Sequence, residues 1–320
     1  ISKKKSKRRR RRSNKKSKNI VFSPITFNCN RSNILRNLLS TCYQCKLCQN
    51  YPHVDFSMWD TLQNNTTISS TISCIPRKYI NNIDNKRSFY KYICSLNLQK
   101  YIPTTFPYLS QVIPSDLNPS SLYFLKTTSG SGGENVFPVK TMSDIHNLVQ
   151  GPFDNYLLQE EVPNMYLHNG CKTTMRNYAL LCEYGVFLYK EGYIYIYTKP
   201  YTKDSLDIQI HNDIFNVSYE RFSQQPYYHK IFPKLCKILS DLLIPFLENI
   251  PCHNQYIILG IDFIIDKNYK PYIIEINGFP NLSENGHIEM KLEMLHDFIN
   301  FYILPKLRKI TPQQGKWKLI

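Results

Sequence analysis

The sequence predicts an α+β fold, and three observations carry that expectation. Two apolar, β-branched and aromatic runs at residues 260–266 and 271–277 bracket the polar break Lys267-Asn268-Tyr269-Lys270, so the segment reads as a β-hairpin. Helical and strand patterns alternate along the chain without the regular βαβ rhythm of a doubly wound sheet. Apolar residues make up 42% of the 320 positions, enough for the core of one large or two modest domains.

The chain opens on charge. Residues 3–18 hold 12 of the 40 Lys and Arg with no acid among them, and removing that block reduces the net charge from +16 to +4. Such a run repels itself and is expected to be a disordered tail over residues 1–20. It suits an acidic protein surface, a nuclear-import role or nucleic acid. No aromatic residues interleave with it, so base stacking is unsupported and nucleic acid is the weakest of the three. The first residue, Ile1, fits a fragment or a processed product.

Residues 21–75 are rich in Asn, Ser, Thr and Cys, with little periodicity outside 34–39. The pattern then sharpens to a helix at 88–98, a strand at 121–125, a Gly-rich loop at 129–133, a helix at 141–150 and a strand at 156–159. Strands follow at 176–181, 186–189 and 193–197, then a helix at 231–247, the hairpin within 256–277 and a closing helix at 287–304. There is no internal repeat. No apolar run reaches the roughly 18 residues of a membrane helix, and no signal-peptide core follows the basic start, so a reducing, cytoplasmic setting without membrane attachment is expected. Ten scattered cysteines agree with that setting. Cys42, Cys45 and Cys48 stand at x₂ spacings that suit zinc or iron–sulfur ligation, with Cys29 or His53 as a fourth ligand; no second Cys-x₂-Cys pair follows at zinc-ribbon spacing, and ordinary buried thiols are the simpler reading.

The hairpin carries the clearest chemistry. If Asn268 and Tyr269 form its turn, Asp262 falls opposite Glu275. Like charges paired across strands repel, and they cost still more when desolvated. A cation between them removes the problem. Asn277 shares a face with Glu275 and adds a neutral oxygen. Two carboxylates and an amide oxygen form a hard, oxygen-only set suited to Mg²⁺ carrying nucleotide phosphates. The segment Lys126-Thr127-Thr128-Ser129-Gly130-Ser131-Gly132-Gly133 follows a predicted strand, where glycines let backbone N–H groups approach phosphate and Lys126 adds a point charge. Its spacing is neither a P-loop nor a dinucleotide fingerprint.

In that order, Lys126 with its Gly-rich loop, Gln159-Glu160-Glu161-Val162, Lys172 to Arg176, Gln209 to Asn212, Gly260-Ile261-Asp262-Phe263 and Ile274-Glu275-Ile276-Asn277 resemble the tubulin tyrosine ligase-like family over roughly residues 76–305. The resemblance implies an ATP-grasp fold whose two lobes enclose ATP. It implies a 21–110 accessory region, a 111–310 catalytic domain and a 311–320 tail. It also implies an ATP- and Mg²⁺-dependent ligase that joins a free amino acid, glutamate or tyrosine, to a carboxylate of tubulin or another acidic protein, at the cytoskeleton. Lys86, Lys126, Gly130, Gly132 and Gly133 are then expected at the phosphates, with Gln159, Glu160, Glu161 and Val162 at the adenine hinge. Lys172 and Asn212 would also be nucleotide contacts. Arg176 and Glu275 would be catalytic, and Asp262, Glu275 and Asn277 would hold metal. The chain departs from the family pattern at Thr174, Glu160 and Tyr195, where Asp, Lys and Arg are usual. A small-molecule ATP-grasp ligase and a non-catalytic microtubule-binding relative are the alternatives.

Overall fold

The computed structural model describes residues 23–29, 33–48, 53–58, 69–130, 135–203, 217–282 and 288–320. The basic tail, Gly132, Gly133 and Asn212 lie outside the described residues. The chain begins with β1 (Thr26–Cys29), α1 (Asn33–Thr41), β2 (Lys46–Leu47), β3 (His53–Met58), β4 (Ser69–Cys74), α2 (Arg77–Asp84) and α3 (Lys86–Ser95). Next come β5 (Thr105–Phe106), β6 (Tyr123–Thr127), β7 (Val136–Val139), α4 (Met142–Leu148) and β8 (Tyr156–Glu160). The rest comprises β9 (Leu167–His168), β10 (Cys171–Cys182), β11 (Gly185–Pro200), β12 (Val217–Arg221), α5 (Tyr228–Glu248), β13 (Gln255–Ile265) and β14 (Pro271–Asn277). It closes with α6 (Ile288–Phe298), a π-helical turn (Ile299–Ile303), α7 (Leu304–Arg308) and β15 (Trp317–Leu319).

Among the described residues, eleven strands form one sheet in the order β12-β11-β10-β13-β4-β3-β1-β2, with β14 on β13, β15 on β11 and β9 on β10. Four others form a separate sheet, β5-β8-β6-β7, over its own core of Leu109, Tyr123, Leu125, Ile145 and Leu158. The architecture is the α+β, ATP-grasp-like fold expected from the sequence. β13 is its hub: β10 runs along one edge, while β4 and β14 share the other. Its sequence Tyr256-Ile257-Ile258-Leu259 is buried on both faces, as a central strand requires. α5 covers the sheet with a stripe of Ile231, Leu235, Ile238, Leu242 and Phe246, at helical spacing.

Three features differ from the sequence reading. The poorly periodic segment before residue 75 holds parallel strands, since β4 pairs with β3 and β3 with β1. The strands expected at 186–189 and 193–197 are one strand, β11, whose register against β10 slips between Asn177 and Ala179. There Asn177 Nδ2 donates to the carbonyls of Tyr189 and Glu191, both at 3.1 Å, so a buried amide closes the bulge. Finally, residues 317–319, assigned to a C-terminal tail, add strand β15 to β11 and bury Trp317.

Among the described residues, no helix is long and apolar enough to cross a membrane. None of their His, Cys, Asp and Glu side chains form a group of three or more able to hold a metal. The spaced cysteines accordingly do not converge: Cys45 and Cys48 are buried around β2, whereas Cys42 is exposed beyond α1.

Candidate active site

The hairpin places Asp262 directly opposite Glu275. It does so by a different route from the expected two-residue turn. Lys267, Asn268 and Tyr269 form a three-residue turn, with Tyr269 left-handed at φ 57° and Asp266 Oδ1 accepting from the amides of Asn268 (2.8 Å) and Lys270 (2.9 Å). That turn pairs Ile265 with Pro271 and Phe263 with Ile273, which by itself would carry Ile274 to Asp262. A bulge absorbs Ile274 and restores Glu275 to the facing position. Ile273 and Ile276 both remain in the main core, while Glu275 and Asn277 point into the site.

Asn277 Nδ2 bridges the two acids, 3.0 Å from Asp262 Oδ2 and 3.2 Å from Glu275 Oε1. Cations surround them. Arg176, opposite Asp262 across β10 and β13, donates from Nε and Nη2 to both carboxylate oxygens. Lys86 Nζ lies 3.6 Å from Glu275 Oε2 and donates to the Gly130 carbonyl at 2.8 Å. Its position is set by the Asn85 side chain, which caps α3 by accepting from the amides of Arg87 (3.1 Å) and Ser88 (3.0 Å). Lys126, on β6, reaches from the smaller sheet and donates to Gln159 Oε1 at 2.6 Å. Lys86, Lys126, Gln159 and Ile274 line one small cavity that is partly open to solvent.

The electrostatics show what this cluster lacks. Burial pushes Lys126 down to about 8 despite the pull of Glu275. Burial likewise brings Lys172 to about 7, with Glu161 opposing. Lys172 packs its ammonium over the rings of Phe124 (4.6 Å) and Tyr197 (5.7 Å). Burial acts against the charge on Arg176 as well, but Asp262 more than offsets it and holds the guanidinium well above its ordinary range. Burial raises Asp262 while Arg176 resists; Glu275 ends below its usual value because Lys86, Lys126 and Arg176 outweigh its burial. Among the described residues, the acids that act on Lys86, Lys126 and Arg176 are Asp262 and Glu275. A polyanion would add negative charge here, and carboxylates and an amide are the residue types a hard divalent ion takes, with the Asn277 NH₂ turned toward both acids.

The remaining positions are less tightly gathered. Glu161 accepts from the Tyr201 hydroxyl and lies 3.7 Å from Lys203. Glu160 turns aside, accepting from Ser121 Oγ at 2.6 Å. Val162 joins Met165, Ile264 and Tyr272 in a small apolar cluster. Thr174 and Tyr195, two of the departures from the family pattern, are cross-strand partners. Tyr195 packs against Tyr193 (4.9 Å) and Tyr219 (5.1 Å), so an aromatic wall flanks Arg176.

Sequence reading missed two residues. Arg87 ties α3 to the smaller sheet by donating to the carbonyls of Pro107 (2.7 Å) and Tyr156 (3.0 Å) and stacking on Tyr108 (4.8 Å). Lys291 is buried on α6, lowered to about 8 by burial and then by Arg176. A signal for Lys291 existed, because it falls on the helical stripe of Met294, Leu295 and Phe298.

A fold of this ATP-grasp-like class thus brings basic and acidic side chains together between two sheets. The tubulin-tyrosine ligase family model matches residues 81–234 and 228–311, and the chain belongs to that family. Among its relatives is the probable alpha-tubulin polyglutamylase Ttll1 of Tetrahymena thermophila, 25% identical over 253 residues, covering 63% of this chain and 60% of the relative. Tubulin glycylase 3B of the same organism is 24% identical over 235 residues, covering 62% of this chain and 20% of the relative. The probable tubulin polyglutamylase TTLL9 of Bos taurus is 27% identical over 184 residues, covering 47% and 39% respectively. The matched regions thus span from a fifth to three fifths of the length of these curated relatives.

Proposed function

We propose that this protein is an ATP- and Mg²⁺-dependent ligase that adds an amino acid to a protein carboxylate, with tubulin as the acceptor. The single observation that carries the reading is the meeting of Lys86, Lys126 and Arg176 with Asp262, Glu275 and Asn277 at the junction of the two sheets. Family membership and relatives named as tubulin polyglutamylases and glycylases support tubulin as the acceptor. The chemistry is transfer of the γ-phosphoryl group of ATP to the carboxylate with release of ADP, followed by attack of an amine on the acyl phosphate, which forms the amide and releases phosphate and a proton.

Asp262, Glu275 and Asn277 would hold the divalent ion. When bound, the ion and ATP supply charge neutralisation and the phosphoryl group. Lys86 and Lys126 neutralise phosphate oxygens, with Gly130 in the adjoining loop, and Lys172 adds charge on the side of Gln159, Glu161 and Val162. Arg176 orients the reacting anion. No side-chain nucleophile is required, because positioning and charge neutralisation do most of the work in phosphoryl transfer. Glutamate and tyrosine are the donors first to be tried, with glycine beside them because one relative is a glycylase. The basic segment at residues 3–18 suits the acceptor, since acidic tubulin tails attract a polycation with little sequence specificity. The cytoskeleton is the corresponding location, with nuclear import as the other use of that segment. Incubation with ATP, Mg²⁺, single labelled amino acids and tubulin tests the proposal: ATP-dependent label on tubulin is the expected result. Label on free amino acids alone would favour a small-molecule ligase.

A further inference from the structure

We infer that Arg176 is a resident counter-ion that keeps the divalent-cation site latent until a triphosphate draws it away. The inference goes beyond the proposed activity, and only its nucleotide arm rests on that reading. Both oxygens of Asp262 are engaged by the Arg176 fork, and Asp262 Oδ2 also accepts from Asn277. The acceptor atoms a cation would use are therefore already occupied by N–H donors of this chain. Lys86 Nζ pairs more loosely with Glu275, 3.6 Å from Oε2, while its hydrogen bond goes to the Gly130 carbonyl.

The parked position is built into the fold. Arg176 and Asp262 are cross-strand partners, and both side chains are largely buried, at 14% and 17% exposure. Gly260 lies directly beneath the arginine: a Cβ added there would come within 3.3 Å of Arg176 Nη1 and 2.9 Å of Pro280 Cβ. Any side chain at 260 would narrow the channel in which the guanidinium reaches its partner. Tyr193 and Tyr195 close the other flank. A bidentate pair held this way is expensive to break without a replacement on each side, because one buried charge would be left alone. A bare cation replaces only the partner of Asp262 and strands the guanidinium. A triphosphate with its cation replaces both, since phosphate oxygens accept the arginine fork in the geometry a carboxylate does. Cation and nucleotide should therefore bind as a coupled pair, each raising the affinity of the other by the same factor.

The test is titration of Mn²⁺ into the full chain, followed by the paramagnetic signal of free ion, with and without a non-hydrolysable ATP analogue. Wild-type protein should bind Mn²⁺ weakly alone and on the order of tenfold or more tighter with the analogue. Arg176→Met, which keeps the stem and removes the fork, should gain Mn²⁺ affinity without nucleotide by a similar factor, and its melting temperature should become Mn²⁺-dependent. Arg176→Lys, a single-point donor, should fall between the two. Equal Mn²⁺ affinity of wild type with and without bound analogue overturns the inference. So does a folded Arg176→Met protein with no gain in Mn²⁺ affinity. If neither variant folds at any Mn²⁺ concentration, Arg176 is a structural strut and the inference fails. If the wild type binds no analogue at all, the function proposed above fails, and the nucleotide-free comparison of wild type with Arg176→Met still decides the counter-ion role.

Discussion

Lys126 Nζ lies 2.6 Å from Gln159 Oε1 inside the protein, so a buried ammonium is held by a neutral amide while Glu275 acts on it through space. An ammonium so placed loses much of its solvation and is left short of negative charge. Lys126→Ala is therefore expected to weaken binding of a non-hydrolysable ATP analogue by about 1.5–3 kcal/mol, the range for a hydrogen bond to a charged group. Calorimetric titration reads it. An unchanged dissociation constant would return the neighbouring Gly-rich loop to a linker role.

The lowered lysines also set a pH dependence. Lys172, at about 7, and Lys126, at about 8, are only partly charged at pH 8 in the free protein. A bound polyanion favours their charged forms, so binding at pH 8 should take up about one proton and weaken as pH rises from 7 to 9. Calorimetry in buffers of different ionisation enthalpy measures that uptake, and zero exchange would refute it. Stability has its own sign. The unfolded chain holds these protons up to about pH 10, so the fold bears the cost of the buried charges below pH 7 and is relieved of it as pH rises above 7.

Glu275→Gln keeps the shape of the side chain and removes one of two facing charges. Turnover of ATP should be lost while the circular dichroism spectrum is retained, because repulsion with Asp262 falls as the attraction to Lys86 disappears. Undiminished turnover with ordinary Mg²⁺ dependence would remove Glu275 from the metal-holding set.

Gly192 sits where β11 crosses the β10 bulge, and an added Cβ would lie 2.5 Å from the Arg176 carbonyl oxygen and 2.7 Å from Asn177 Oδ1. The first is backbone, and the second belongs to an amide pinned by its hydrogen bonds to the Tyr189 and Glu191 carbonyls. Gly192→Ala should cost about 1–3 kcal/mol of stability in a denaturant titration and shift the strand that carries Arg176, reducing activity beyond the loss of folded protein. A variant with wild-type stability would show that the bulge yields more easily than its contacts imply.

Deleting residues 1–18 removes twelve positive charges and none of the proposed site residues. Ligation of a short acidic peptide should survive, whereas co-sedimentation with microtubules should weaken and lose much of its salt dependence, since exposed charges are screened over about 8 Å at physiological ionic strength. An unaltered salt series would favour nuclear import over docking.

The hairpin shows how far local pattern reaches. Its two apolar runs identified the strands, and the facing of Asp262 and Glu275 was anticipated, but through a turn one residue too short whose error the Ile274 bulge cancels. Nothing local announces that bulge, because Ile273 and Ile274 are the same residue type and only the packing of Ile273 and Ile276 into one core decides which is extra. The cation cluster was legible through resemblance, while the pairing of Arg176 with Asp262 depends on the register of strands 86 residues apart. β1, β3 and β4 escaped notice because short parallel strands lack the alternation of a half-exposed hairpin.

The position of β13 between β4 and β10 has a temporal consequence. Ser73 and Cys74 pair with Gln255 and Tyr256, so the edge of β4 is completed by residues made roughly 180 positions later. At about 5–20 residues per second of synthesis, that edge waits roughly 10–40 s for its partner. During the wait it presents unpaired backbone groups to any other extended chain, and sheet closure across such a sequence separation is intrinsically slow. Yield of folded protein should therefore depend on the conditions of synthesis more strongly than the stability of the finished fold would suggest.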